Sequence, residues 1–231
     1  MNKQLFLEEL NKINIKLTKK QEEQLEKYYE ILVKENENIN LTSITKKEEV
    51  YLKHFYDSLT LIKAINLNEN LKLIDIGTGA GFPGLVLKIV FPNLEITLLD
   101  ALDKRIKFLD KVINELDLKN IKTVHSRIEE YKGETFDLVV SRAVAKTNIL
   151  LELSCQLLKT NGYFIFLKSN VEEELKESEN CIKALNLKIE EIKEFYLPIE
   201  NSKRTLLKIK KEKYISSKYP RNFAKIKKKP L

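Results

Sequence analysis

The sequence is poor in metal ligands and in residues that crosslink. It holds only two cysteines, Cys155 and Cys181, and two histidines, His54 and His125, with no C-x-x-C among 231 residues. A structural zinc site or a disulfide framework is therefore not expected. Both cysteines fall in helical apolar patterns and read as packing residues. Long apolar runs are missing as well. No stretch approaches the roughly 18 residues needed to cross a membrane, and the lysine-bearing N-terminus has no apolar signal-peptide region. The expectation is a soluble, cytoplasmic protein with no membrane association. No internal repeat is present. Acidic residues thin out toward the C-terminus, where 203–229 carries many lysines and arginines against one acid, Glu212. The net charge of +7 favours a polyanionic partner without identifying it. A hydrophobic share of 43% suffices for one large core.

Glycine is also scarce, with six in all, yet four of them fall within eight residues: Gly77, Gly79, Gly81 and Gly84. They follow an apolar run, Leu71-Lys-Leu-Ile-Asp-Ile76, and precede a helical apolar pattern through Leu85, Leu87, Ile89 and Val90. Strand, glycine turn, helix is the opening of a nucleotide-binding β-α-β unit. Two readings of the turn stand. Gly79-Ala-Gly81-Phe-Pro-Gly84 satisfies the dinucleotide pattern G-x-G-x-x-G. Asp75-x-Gly77-x-Gly79-x-Gly81 resembles the acidic loop of class I S-adenosylmethionine methyltransferases. A carboxylate just before the turn suits a ligand with a sulfonium and an amino group better than a pyrophosphate. Asp100 closes the next strand, nineteen residues after Gly81. There a carboxylate can bind ribose hydroxyls, a role common to both cofactors.

Around this stretch, apolar spacing predicts helices over 3–14, from Thr18 through Val33, and from Lys46 to Ile65, with Thr18-x-x-Gln21 as a capping box. After Asp100 strands and helices alternate. Helix Asp103–Leu116 is followed by strand 121–124, strand 136–141, helix 147–159 closed by the turn Asn161-Gly162, strand 163–167 and helix 171–185. Two strands, 187–197 and 204–210, end the series without a helix between them. The pattern predicts a mainly parallel sheet with helices on both faces and an antiparallel edge hairpin. Ligands in such sheets sit at the carboxyl ends of the strands, where Asp75, Asp100, Arg127, Arg142 and Lys168 are expected to gather. The expected organisation is an N-terminal helical cap over 1–70, a cofactor-binding core over 71–212 and an exposed basic C-terminal arm over 213–231.

Several stretches, taken together and in order, resemble one family, the bacterial glucose-inhibited division protein B family. They are Asn40-Leu-Thr-Ser, His54-Phe-Tyr-Asp57-Ser58, Asp75-Ile-Gly-Thr-Gly-Ala-Gly-Phe-Pro-Gly84, Leu98-Leu-Asp100 and Lys104-Arg105. Ser126-Arg127-x-Glu129, Ser141-Arg142-Ala143 and Lys218-Tyr-Pro-Arg221 complete the set. One position departs: Ser169 stands after Lys168 where the family usually has glycine. The resemblance implies a class I methyltransferase, Rossmann-like, that uses S-adenosylmethionine to methylate N7 of a guanine in small-subunit (16S) ribosomal RNA.

The sequence agrees through what it lacks. Its five prolines are never adjacent, so the Asp/Asn-Pro-Pro-aromatic loop of exocyclic-amine methylases is missing. No cysteine follows a proline, so the usual nucleophile of cytosine-C5 methylases is missing too. With the glycine turn, the resemblance implies Asp75, Gly77, Gly79, Gly81, Phe82, Asp100, Ile128, Glu129 and Arg142 as the cofactor candidates. It implies His54, Lys104, Arg105, Arg127, Lys168 and Arg204 as the RNA candidates. No general base is implied; Arg127, Arg142 and Lys168 are candidates for positioning. The expected partner is ribosomal RNA or the 30S subunit, bound by a monomer without a metal. Two alternatives stay open: an NAD-dependent oxidoreductase, and a non-catalytic RNA-binding ribosome assembly factor with a methyltransferase fold.

Overall fold

In the computed structural model, which describes residues 1–142 and 144–231, seven strands form one sheet in the order β3-β2-β1-β4-β5-β7-β6. The strands are β1 (Lys72–Ile76), β2 (Glu95–Asp100), β3 (Ile121–His125), β4 (Phe136–Arg142), β5 (Leu158–Lys168), β6 (Leu187–Tyr196) and β7 (Lys203–Lys211). The first five pair in parallel. β7 runs antiparallel to both β5 and β6, so the expected edge hairpin is present. Strand order reverses between β1 and β4, the switch point where a cleft opens beyond the carboxyl ends.

Burial explains why the central strands read as continuous apolar runs. Leu73, Leu98, Leu138, Val140, Ile165 and Leu167 face one hydrophobic cluster. Their neighbours Ile74, Ile76, Leu99, Val139, Phe164 and Phe166 face the other. Both faces are covered, so both alternating sets must be apolar. The first cluster is completed by the N-terminal helices together with Leu85 of α5 (Gly84–Val90) and Leu109 of α6 (Asp103–Glu115). The second takes Leu150 and Leu151 from α7 (Thr147–Ser154), Cys181 from α8 (Glu172–Ala184), and Cys155. Edge strand β6 alternates buried or half-buried with exposed residues, and its charges oppose pairing with another chain.

The N-terminal helices are α1 (Lys3–Lys12) and α2 (Lys19–Ile39). Thr18 caps α2 as the sequence implies. Its amide donates to Gln21 Oε1 at 2.9 Å, and the Gln21 amide donates to Thr18 Oγ1 at 3.3 Å. Asn40 ends the helix in the left-handed region, which asparagine tolerates.

Three expectations need correction. The helix expected over 46–65 is a relay of short pieces. It comprises α3 (Lys47–Val50), a π-helical turn Tyr51–Tyr56, α4 (Asp57–Leu59) and a 3₁₀ turn Thr60–Lys63. A π turn widens the helix and re-aims its side chains, a device frequent at functional sites, and this one carries His54. Next, α7 stops at Ser154, and Asn161-Gly162 lies inside β5. Pairing with β4 jumps there from Leu158 opposite Phe136 to Tyr163 opposite Leu138, so the extra residues form a bulge and Asn161 takes φ +66°. Finally, the C-terminal stretch is docked where an exposed arm was expected. Ile215 and Ile226 are fully buried, the latter on α9 (Phe223–Lys228).

Candidate active site

The glycine turn is held from below by Asp75. Its Oδ2 accepts from Thr78 Oγ1 at 2.6 Å and from the Gly84 amide at 2.9 Å. Oδ1 has no partner and is buried. Burial raises this carboxyl, and the two bonds offset the rise only in part, leaving it at about 6. Gly77 and Gly79 both have positive φ, where side chains are strained. A Cβ on Gly77 would stand 2.7 Å from Val144 Cγ2, whereas one on Gly79 would meet nothing nearer than 4.0 Å. Gly79 thus leaves its backbone open to an approaching ligand.

That open face borders a cleft of about 630 Å³ lined by Gly77, Gly79, Asp100, Arg105, Ile128 and Glu129, among others. The size lies within the range of small-molecule sites, roughly 300–1,000 Å³. Asp100 Oδ2 accepts from the Gly79 amide at 3.0 Å and from Arg105 Nη1 at 3.2 Å. Its Oδ1 accepts from the Leu102 amide at 2.9 Å and retains acceptor capacity for a hydroxyl. An open glycine backbone, a carboxylate at the β2 end and the charge of Asp75 behind the turn fit a cationic nucleoside such as S-adenosylmethionine.

A second cleft, of about 560 Å³, lies across the ends of β4 and β5 and includes His54, Asp57, Arg142, Lys168, Glu174 and Arg204. Val144 and Ala145 line both clefts, so the two share a wall. His54 stacks on Phe82 with ring centroids 4.3 Å apart. Arg142 donates from Nη2 to His54 Nδ1 at 3.0 Å, and from Nη1 to the Lys53 carbonyl at 2.8 Å. Asp57 receives Arg204 Nε at 3.1 Å and faces Arg142 Nη1 at 3.4 Å. Burial, reinforced by the Arg142 charge, lowers His54 to about 3, so its ring is neutral. Lys168 Nζ donates to the Ala145 carbonyl at 2.6 Å and to Glu174 Oε2 at 2.8 Å. For Glu174, burial raises the carboxyl, and bonds from Lys168 and Thr147 outweigh it and hold the group below its ordinary value.

The expected residues therefore separate. Gly77, Gly79, Asp100, Ile128 and Glu129 line the first cleft. Asp75 and Phe82 are buried beneath the turn and beneath His54, respectively, and with Gly81 they line neither cleft. Arg142 belongs to the second cleft, with its guanidinium 5.0 Å from the Phe82 ring. Of the RNA candidates, His54, Lys168 and Arg204 line the second cleft. Arg105 and Arg127 line the first instead, Arg105 paired to Asp100. Lys104 is exposed outside both. Ala143, within the Ser141-Arg142-Ala143 match, lies outside the described residues.

Other participants gave little sequence signal. Asp57 looks like any helix carboxylate until Arg142 and Arg204 arrive from 85 and 147 residues away. Tyr28, whose hydroxyl donates to the Ala80 carbonyl of the glycine turn, reads as an apolar helix position. Thr42 meets His54 Nε2 at 2.9 Å. Phe223 and Lys227 reach the first cleft from the C-terminal segment.

The sheet order, the antiparallel β7 and the cleft beside the glycine turn define a class I S-adenosylmethionine-dependent methyltransferase. The fold is shared with a SAM-dependent methyltransferase from Aquifex aeolicus (TM-score 0.56, 17% identity, 74% of this chain and 96% of that one). It is shared too with M. jannaschii TYW2 in complex with AdoMet (TM-score 0.53, 14% identity, 67% and 76%). The family described as rRNA small subunit methyltransferase G, GidB, matches residues 21–206. Proteins named ribosomal RNA small subunit methyltransferase G are 48% identical in Lachnoclostridium phytofermentans, over 98% of this chain and 96% of the relative. In Bacillus subtilis the figure is 45%, over 96% and 95%, and in Staphylococcus carnosus 43%, over 100% and 99%. The chain belongs to this family.

Proposed function

We propose that the chain transfers a methyl group from S-adenosylmethionine to N7 of a guanine in small-subunit (16S) ribosomal RNA, acting as a cytoplasmic monomer on the RNA or the 30S subunit. The observation that carries this reading is the pair of clefts sharing the Val144-Ala145 wall, one suited to the cofactor and one open to a base. When bound, the cofactor supplies an electrophilic methyl on a sulfonium. Gly77 and Gly79 present backbone to it, Asp100 takes its ribose, and Ile128 and Glu129 border its adenine.

The second cleft holds the acceptor base. Guanine N7 offers a lone pair in the major groove and carries no proton, so the transfer needs no base. The titratable groups there are all committed: His54 by Arg142 and Thr42, Asp57 by two arginines, Lys168 by Glu174. Rate enhancement then comes from holding donor and acceptor in line. The methylated base becomes cationic, and Glu174 offsets the charge of Lys168, which lines the cleft. Against the NAD reading, His54, Asp57 and Lys168 in the second cleft are each engaged by a protein partner, so none is free to exchange a proton with a hydride substrate there. Against the non-catalytic reading, the glycine turn and Asp100 are in place.

Mass spectrometry of ribosomal RNA from a deletion strain tests the proposal. Loss of one 7-methylguanosine from the small-subunit RNA is expected, and an unchanged set would refute it.

A further inference from the structure

One wall of the cofactor cleft takes a residue from outside the nucleotide-binding core. Phe223, in the C-terminal segment, lines it together with Leu102, Ile128, Ile149 and Leu153. Phe223 and Leu102 are 38% and 44% exposed. Exposed large apolar residues are unremarkable singly; here two of them line one cleft with three more apolar side chains.

The segment that delivers Phe223 is firmly anchored. Glu152 is fully buried on α7, and Arg221 donates to it from Nε at 2.6 Å and Nη2 at 2.7 Å, and from its amide at 3.2 Å. Gln156 Nε2 donates to the carbonyls of Ser216 at 3.1 Å and Tyr219 at 3.0 Å. Ile226 is buried one turn after Phe223. The Arg127 guanidinium, which lines the same cleft, lies 5.9 Å from the Phe223 ring. A bidentate arginine on a buried carboxylate fixes direction as well as distance, so Phe223 is held where it stands.

We infer that the C-terminal segment forms the outer wall of the adenine subsite, with Phe223 as the contact residue and the Arg221–Glu152 pair as its positioning anchor. The inference rests on the S-adenosylmethionine reading and adds to it a linkage: cofactor binding and docking of 213–231 stabilise each other. Coupling of this kind is reciprocal. Removing the wall weakens the cofactor, and the cofactor holds the wall closed.

The test is calorimetric titration of S-adenosylhomocysteine, and separately of adenosine, into the full chain and its variants. Stacking against a base sets the expected size of the effect. Phe223→Ala should weaken both ligands about tenfold with the unliganded melting temperature unchanged, and Phe223→Tyr should restore them. Tyr214→Ala, in the same segment but outside the cleft, serves as the control and should bind like wild type. In parallel, S-adenosylhomocysteine should slow tryptic cleavage within 213–231 of the wild type and fail to do so for Phe223→Ala. Equal affinity of Phe223→Ala and wild type, with cleavage indifferent to ligand, would overturn the inference while leaving the cofactor reading intact. Failure of the wild type itself to bind would overturn both.

Discussion

Arg142 donates to Nδ1 of His54 over 3.0 Å, closer than the Lys53 carbonyl that lies 3.2 Å from the same nitrogen, and the shorter contact assigns the state of the histidine. An arginine has only donors, so Nδ1 must accept and the ring proton sits on Nε2, facing Thr42. A second proton would set two cations against each other in a buried site, in line with the lowering of His54 to about 3. The pair joins the π-helical turn to the end of β4 and forms one side of the second cleft.

Acid should therefore weaken the fold through His54. The folded value lies below the ordinary 6.5, so the unfolded chain takes up a proton that the native state refuses, and stability falls as pH drops from 6.5 toward 3. By pH 5 the loss is about 2 kcal/mol. Asp75 acts with opposite sign between about 6 and 3.8, so wild type is best compared with His54→Asn, which keeps an acceptor for Arg142. Urea unfolding at pH 7.5 and 5 should show the wild type losing stability relative to the variant.

Asp75→Asn should stabilise the protein at pH 7.5. The carboxyl is raised to about 6 in the fold, so ionisation is disfavoured there and stability falls as pH rises from 3.8 through 6. Above that window the cost is complete, on the order of 3 kcal/mol. Asparagine keeps an acceptor for Thr78 and Gly84 without the charge. The variant should melt several degrees higher than wild type at pH 7.5, with the gap closing by pH 4. It should also bind S-adenosylmethionine more weakly, a stability gained at the expense of function.

Gly79→Ala should separate folding from binding. Its φ of +62° costs an alanine about 1–2 kcal/mol, but the new methyl meets no neighbour nearer than the Gly77 carbonyl oxygen at 4.0 Å, on a residue that lines the cleft. A folded protein with cofactor affinity reduced more than tenfold is expected by calorimetry. Gly77→Ala adds a collision with Val144 and should lower the melting temperature further.

Asp57→Ala should be strongly destabilising. It removes the carboxylate that faces Arg142 and Arg204 and leaves Arg142 in a site where burial already lowers its proton affinity. Breaking a buried pair from one side costs about 3–5 kcal/mol. Chemical denaturation should show a loss of that order, smaller for Asp57→Asn, which still accepts hydrogen bonds.

The parts legible in the sequence were those whose signal is local. The glycine turn after Ile76, the capping box at Thr18 and Gln21, and the two final strands without a helix between them each announce themselves within a few residues. Asp100 was legible because its place at a strand end follows from β-α-β spacing. What escaped depends on residues far apart in the chain. Asp57 acquires its partners only when β4 and β7 bring Arg142 and Arg204 to it. Arg105 looks like an RNA contact until Asp100 folds against it. Asn161-Gly162 carries turn chemistry that a bulge uses as readily as a helix end. The lysine-rich end suggests a solvated arm, and its docking depends on two buried isoleucines and on Glu152, some seventy residues earlier.

The central claim is that the two clefts bring a methyl donor and guanine N7 together, and the direct test is transfer itself. Labelled S-adenosylmethionine would be incubated with 30S subunits and with free small-subunit RNA, and the RNA digested to nucleosides. The account predicts label in 7-methylguanosine alone, reduced by Gly79→Ala at limiting cofactor. Label in another nucleoside, or none from a protein that binds the cofactor and is presented with both substrates, would contradict it.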